Sequence, residues 1–189
     1  NPENYLWEVK HKNREDQRNK ARKNIGISKD AIVILFIGRL SFHSKSHPEI
    51  LYKVLEKISI KNSSKEIILL ECGHIFNENI LEAYKELEGR YPRLNVKRLG
   101  GLTKAQEVDK INALSSADIF CSLSDNLQET FGITPIEAMA SGLPVVVSDW
   151  DGYRETVRDN IDGFCIPTLM PPEGYGLDLA RRYALNLDN

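Results

Sequence analysis

At 189 residues the chain is long enough for one domain with a substantial core and too short for two large ones. A composition of 41% hydrophobic and 28% charged residues, with a net charge of -2, excludes a disordered chain and gives no sign of a polyanion-binding surface. No apolar run approaches the roughly 20 residues of a membrane span, and the first residues do not read as a signal peptide.

The opening stretch to about residue 27 carries Lys10, Lys12, Arg14, Arg18, Lys20, Arg22 and Lys23, with Tyr5, Leu6, Trp7 and Val9 as its apolar cluster. It predicts a helix docked at one end and solvated elsewhere, because a membrane-surface helix would need a continuous apolar stripe. From Ala31 an alternation begins. "AIVILFIG" predicts a buried strand, and "HPEILYKVLEKISI" a helix with proline in its first turn. "EIILLECG" is the next strand, "NENILEAYKELEGRY" a helix capped by asparagine, and "RLNVKRLGG" a third strand. Thr103 to Gln106 reads as a capping box opening a helix that runs to about Ser116.

"ADIFCSLS" is a fourth strand. After it, Thr134 to Glu137 reads as a second capping box with Pro135 at the first helical position, and Gly142 and Pro144 stop that helix. "PVVVSD", a short helix in "YRETVRDN", the strand "GFCIP" and a last helix near "LDLARRYALNL" complete the pattern. Continuous apolar strands separated by helices predict an α/β fold, a Rossmann-like parallel sheet of about six strands with helices on both faces. In such sheets ligands bind outside the carboxyl ends of the strands, which directs attention to residues 38–47, 73–77, 100–103, 124–134 and 149–153.

Cys72, Cys121 and Cys165 each sit in or beside an apolar run without CxxC spacing, as expected of small buried thiols in a reducing, cytoplasmic compartment. His43 and His47 have the spacing of two metal ligands on one helical face, but Pro48 starts the helix after both and no HExxH glutamate is present, so His47 is expected to cap the helix. No carboxylate cluster suits a divalent ion, and no metal site is expected.

"GRLSFHSKSHP" lacks the glycine spacing of a P-loop, leaving Arg39 and Lys45 as two cations beside a helix start. They suit a diphosphate through a planar fork and a point charge, or they are solvated surface cations. Glu129 and Glu137 are the remaining pair. The capping box accounts for Glu137, whereas Glu129 lies in a loop leading to a helix N-terminus where backbone N–H groups face an anion. A glycosidase acid and base fit this poorly. A ligand with hydroxyls at both ends and phosphates between fits better. Trp150, Asp151 and Tyr153 face either an acceptor or the interior as a structural aromatic pair.

The strand followed by "GRL", a lysine a few residues on, and two glutamates eight apart followed by "EAMASGLPVV" resemble the nucleotide-sugar-binding domain of the group 1 family of GT-B-fold retaining glycosyltransferases. The resemblance runs from about Ile32 to Pro167. It implies that residues 1–30 are an N-terminal helical or linker segment and that residues 31–189 are the donor half of a GT-B fold, excised from a longer chain whose upstream acceptor domain is missing.

Carried over, it implies that Gly38, Arg39 and Lys45 meet the donor diphosphate, that Glu129 holds hydroxyls of the transferred sugar and that Glu137 holds the ribose. The backbone of Thr130, Phe131, Gly132, Ile133 and Thr134 would approach sugar and phosphates, and the base would lie near Leu102. Thr130 and Ser46 stand where many members have glycine. The implied partner is a UDP-, GDP- or ADP-sugar, used as donor substrate without a cofactor or metal ion. No nucleic acid is implied, and the family is compatible with a peripheral position of the longer protein at a cytoplasmic membrane face. A nucleotide-sugar epimerase or phosphorylase relative and a non-catalytic nucleotide-binding module remain as rival readings.

Overall fold

The computed structural model describes residues 14–42, 45–126 and 131–169, together with Gly174 and Leu177. In chain order its elements are α1 (Arg14–Asn24), β1 (Ile32–Leu40), α2 (Pro48–Lys61), β2 (Ile67–Ile75), α3 (Glu78–Gly89) and β3 (Asn95–Gly101). They continue with α4 (Glu107–Ser116), β4 (Ile119–Ser122), α5 (Ile133–Ala140), β5 (Val145–Asp149), α6 (Gly152–Thr156) and β6 (Gly163–Pro167). The six strands form one all-parallel sheet in the order β3-β2-β1-β4-β5-β6. The chain runs outward from β1 to β3, crosses back, and runs outward the other way from β4, so β1 and β4 flank a topological switch point.

Both faces are covered, as apolar strands without polar alternation require. Val33, Leu35 and Ile37 pack with Ala113 and Leu114 of α4 and Ala138 of α5, while Ile34 and Phe36 pack with Tyr52 and Leu55 of α2 and Tyr84 and Leu87 of α3. Asn77 caps α3 by accepting from the Ile80 N–H at 2.9 Å, and His47 caps α2, its Nδ1 accepting from the Glu49 N–H at 3.3 Å. His43 lies outside the described residues. Cys72 and Cys121 are buried in strands, Cys165 is half-buried, and all three are free thiols.

The first helix is exposed or half-buried along its described length except at Ala21 and Arg22, where it docks through a polar contact in place of the expected apolar one. Its apolar cluster at residues 5–9 lies outside the described residues, and α1 packs on α4 through a fully buried arginine. The Arg22 guanidinium donates to the carbonyls of Ser116, Ser28, Lys29 and Ala31 and, at 2.8 Å, to Asp118 Oδ2. Asp118 also accepts from Arg18 and from the Val33 N–H, tying α1 to the start of β4 and to β1. Burial lowers the Arg22 pKa, and the neighbouring Asp118 opposes that shift.

Two helix starts also differ from the sequence reading. Helix α4 begins three residues later than the box at Thr103, with Asp109 accepting from the Gln106 N–H at 2.9 Å. The intervening loop turns through Gly100 and Gly101, both at positive φ, and lays Ala105 against Gly100 before the helix can start. Helix α5 begins earlier than expected, with Gly132 as N-cap in a left-handed conformation. Thr134 and Pro135 therefore lie inside the first turn, where a missing N–H leaves no intrahelical bond unmade, and Glu137 is no cap. A Cβ on Gly132 would come within 2.0 Å of the Tyr153 ring, so close packing against that ring fixes the entry. Helix α6 is only five residues long, and the helix expected near residues 177–187 lies, Leu177 apart, outside the described residues.

Candidate functional site

A cavity of about 320 Å³ opens at the carboxyl ends of β1 and β2. Gly38 and Arg39 from β1, Gly73 and His74 from β2, and Lys104 and Lys110 from the segment entering α4 line it, and Glu107 contributes an acidic side chain. The floor is bare backbone. Gly38 stands in register with Gly73, and Gly73 with Gly100, across three adjacent strands. A Cβ on Gly73 would lie 1.8 Å from the Gly38 carbonyl oxygen, and one on Gly100 would lie 2.1 Å from that of Gly73. At Gly73 and Gly100 only glycine fits.

Arg39 is exposed at the rim, and Lys45 is half-buried in the loop between β1 and α2. Across the switch point, Phe131 and Ile133 are exposed beside the start of α5, whose first turn presents the main-chain N–H groups of Ile133 and Thr134. Those groups carry the positive end of the helix dipole. Leu102 is 43% exposed just beyond β3. From the end of β3 to the end of β4 is three strand spacings, about 14 Å, comparable with the length of a nucleotide sugar. Glu129 and Thr130 fall outside the described residues.

Glu137 has a different environment from the one its spacing suggested. Its Oε1 accepts from Lys110 Nζ at 2.6 Å, with side-chain exposures of 15% and 24%. Its Oε2 is buried without a hydrogen-bond partner. A buried carboxylate oxygen left unpaired is costly, and it marks a place where a ligand hydroxyl can donate. Because Lys110 lines the cavity, the pair couples α5 to the cavity wall.

Sequence reading missed Lys104, Lys110, His74 and the glycine row. Lys110 lies 27 residues from Glu137, and no local pattern links the two. The glycines did carry a signal, since "CGH" and "LGG" both end strands that must pass close to their neighbours. Tyr153 is removed from any acceptor-facing role: it is buried, and its hydroxyl is 3.0 Å from Ser122 Oγ. Trp150 donates its indole N–H to the Asn126 carbonyl at 3.2 Å. Among the described residues no group of three His, Cys, Asp or Glu side chains gathers, and no helix is long and apolar enough to cross a membrane.

Residues 17–172 match the family described as glycosyl transferases group 1. The chain belongs to this family. A phosphatidyl-myo-inositol mannosyltransferase of Mycobacterium tuberculosis is 29% identical over 164 residues, covering 87% of this chain and 40% of the relative. A D-inositol 3-phosphate glycosyltransferase of Geodermatophilus obscurus is 27% identical over 158 residues, covering 82% and 34%. The chain thus spans about two-fifths or less of the length of these curated relatives. Among solved structures, Anabaena HepE in complex with UDP and glucose aligns with a TM-score of 0.65 at 22% identity, covering 92% of this chain and 43% of that one. A glycosyltransferase from Rickettsia africae aligns with a TM-score of 0.63 at 20% identity, covering 97% and 45%. These structures share the fold of the chain.

Proposed function

We propose that the chain is the donor-binding half of a retaining glycosyltransferase, one that moves a sugar from a nucleoside diphosphate sugar to an acceptor held elsewhere in a longer protein. The observation that carries the reading is Glu137, whose buried Oε2 lacks a partner beside a cationic cavity at the carboxyl ends of β1 and β2. That oxygen accepts from a ribose hydroxyl while Lys110 holds the other. Arg39 and Lys45 meet the diphosphate, Glu129 takes hydroxyls of the transferred sugar, and the backbone from Thr130 to Thr134 lies against sugar and phosphate. Gly38 lets the diphosphate approach the end of β1, and Leu102 marks the base. Family membership and the UDP and glucose bound in the Anabaena structure support this assignment.

Cleavage of the glycosidic bond leaves negative charge on the departing diphosphate. Arg39, Lys45 and the α5 N-terminus stabilise that charge more in the transition state than in the ground state, and so lower the barrier. In this reading those groups do the electrostatic work that a metal ion does in other transferases. The acceptor attacks on the face the diphosphate leaves, which preserves the anomeric configuration. The chain by itself binds donor without transferring sugar, because the acceptor site belongs to the rest of the protein.

Titration with UDP, GDP and ADP tests the reading. At least one is expected to bind at millimolar concentration or below, and Arg39→Ala and Lys45→Ala are expected to weaken it about tenfold or more, as loss of a charge-assisted phosphate contact does. Absence of binding by all three nucleotides refutes the assignment.

A further inference from the structure

His74, at the carboxyl end of β2, lines the cavity yet ties nothing in the fold together. It is half-buried, and among the described residues neither ring nitrogen has a hydrogen-bond or ion-pair partner. Its ring stands edge-on to that of Phe76 at 6.5 Å, a loose contact with a side chain that is itself 82% exposed. A neutral imidazole carries one N–H and an imidazolium two, so the cavity wall holds an uncommitted donor in either protonation state.

The direction of that donor follows from the pleat. Side chains alternate along a strand, and residues in register on parallel neighbours share a face. Ile37 and Cys72, a register pair, pack into the cluster that holds Ala113 and Leu114 of α4 and Ala138 of α5, whereas Leu40 and Ile75 pack into the opposite cluster with α2 and α3. Arg39 and His74, the register pair two residues on, therefore project to the face of α4 and α5, where Lys110 and Glu137 stand. Ile37, Cys72, Arg39 and His74 all line the cavity. On its other side His74 pairs with Gly101 of β3, which has no side chain to cover it.

With the diphosphate at Arg39 on β1 and the base near Leu102 just past β3, the strand between them is β2, about 4.8 Å from each neighbour. A nucleotide laid along this edge brings to β2 the group that joins ribose to the outer phosphate. We propose that His74 binds the α-phosphate of the donor, donating an imidazole N–H to a non-bridging oxygen. This rests on the reading of the chain as a nucleoside diphosphate sugar binder. Phosphate oxygens only accept, which matches a side chain that always has an N–H to give, and Arg39 is left for the β-phosphate.

The test is an NMR titration with nucleoside, nucleoside monophosphate and nucleoside diphosphate in the uridine, guanosine and adenosine series. His74→Ala removes the donor, and His74→Leu removes it while keeping comparable bulk; thermal melting checks the fold of each. Both variants are expected to bind monophosphate and diphosphate more weakly by the same factor, about fivefold to thirtyfold, as loss of a hydrogen bond to a charged group at a half-buried site does. Nucleoside affinity is expected to be unchanged. A loss confined to the diphosphate, an equal loss for the nucleoside, or wild-type affinity in His74→Leu overturns the α-phosphate contact and leaves the donor site standing. If the wild-type chain binds none of the diphosphates, the donor-site assignment falls and this inference with it.

Discussion

Glu137→Gln probes the reading of the site most directly, because glutamine keeps the shape and one carbonyl oxygen but removes the charge. Two separable losses are expected. In the free chain, Lys110 trades a charge-assisted bond of 2.6 Å for a neutral acceptor. Charge-assisted bonds are roughly twice as strong as neutral ones, so this costs about 1 kcal/mol. For a chain of this size the melting temperature should fall by about 2–4 °C. In the complex, the buried Oε2 no longer offers a full carboxylate to the ribose. Losing charge assistance on one or two hydroxyls weakens donor binding by about 1–3 kcal/mol, or roughly fivefold to hundredfold. Calorimetric titration with the tightest-binding nucleoside diphosphate and with its analogue lacking both ribose hydroxyls separates the terms. The wild-type chain should prefer the ribose form, and the variant should lose most of that preference. Equal affinity of wild type and variant for the ribose form, or no discrimination by the wild type, would refute the ribose assignment and leave Glu137 as an ion-pair partner.

Three further outcomes follow from particular contacts. Arg22→Ala removes a buried guanidinium together with its ion pair to Asp118 and its bonds to several carbonyls, so urea unfolding should show a loss of about 3–5 kcal/mol; a loss below about 1 kcal/mol would contradict α1 as an integral element. Gly132→Ala forces a left-handed alanine and a Cβ against the Tyr153 ring. A destabilisation of about 2–4 kcal/mol with weakened donor binding is expected by the same assay, and a variant as stable as the wild type would count against that packing. Burial pushes the thiols of Cys72 and Cys121 up to about 11 and about 12. A raised pKa keeps each protonated near neutral pH, so mass spectrometry should find iodoacetamide labelling of both far slower in the folded chain than in urea, accelerating only as the pH climbs toward those values. Labelling at the unfolded rate would show that these sites are open.

Strand and helix order were legible because apolar periodicity is a local property: "AIVILFIG" and "EIILLECG" are too continuous to be anything but strands buried on both faces. The glutamate pair and the cations of the first loop were legible as motifs of residue type and spacing. Helix starts were not, because a capping box is only one of several ways to begin a helix. At Gly132 the bulk of Tyr153 decides, and at Gln106 the packing of Ala105 decides.

By itself, then, the sequence determined the parallel α/β architecture and which edge of the sheet holds the strands' carboxyl ends, since both follow from short-range patterning and chain order. Only the tertiary structure decided what Glu137 and Arg22 do. Each is defined by a partner distant in the chain, Lys110 for one and Asp118 for the other, 27 and 96 residues away. Such pairings are selected by the packing of whole elements, where an unpaired buried charge is too costly to persist, and no window of neighbouring residues encodes them.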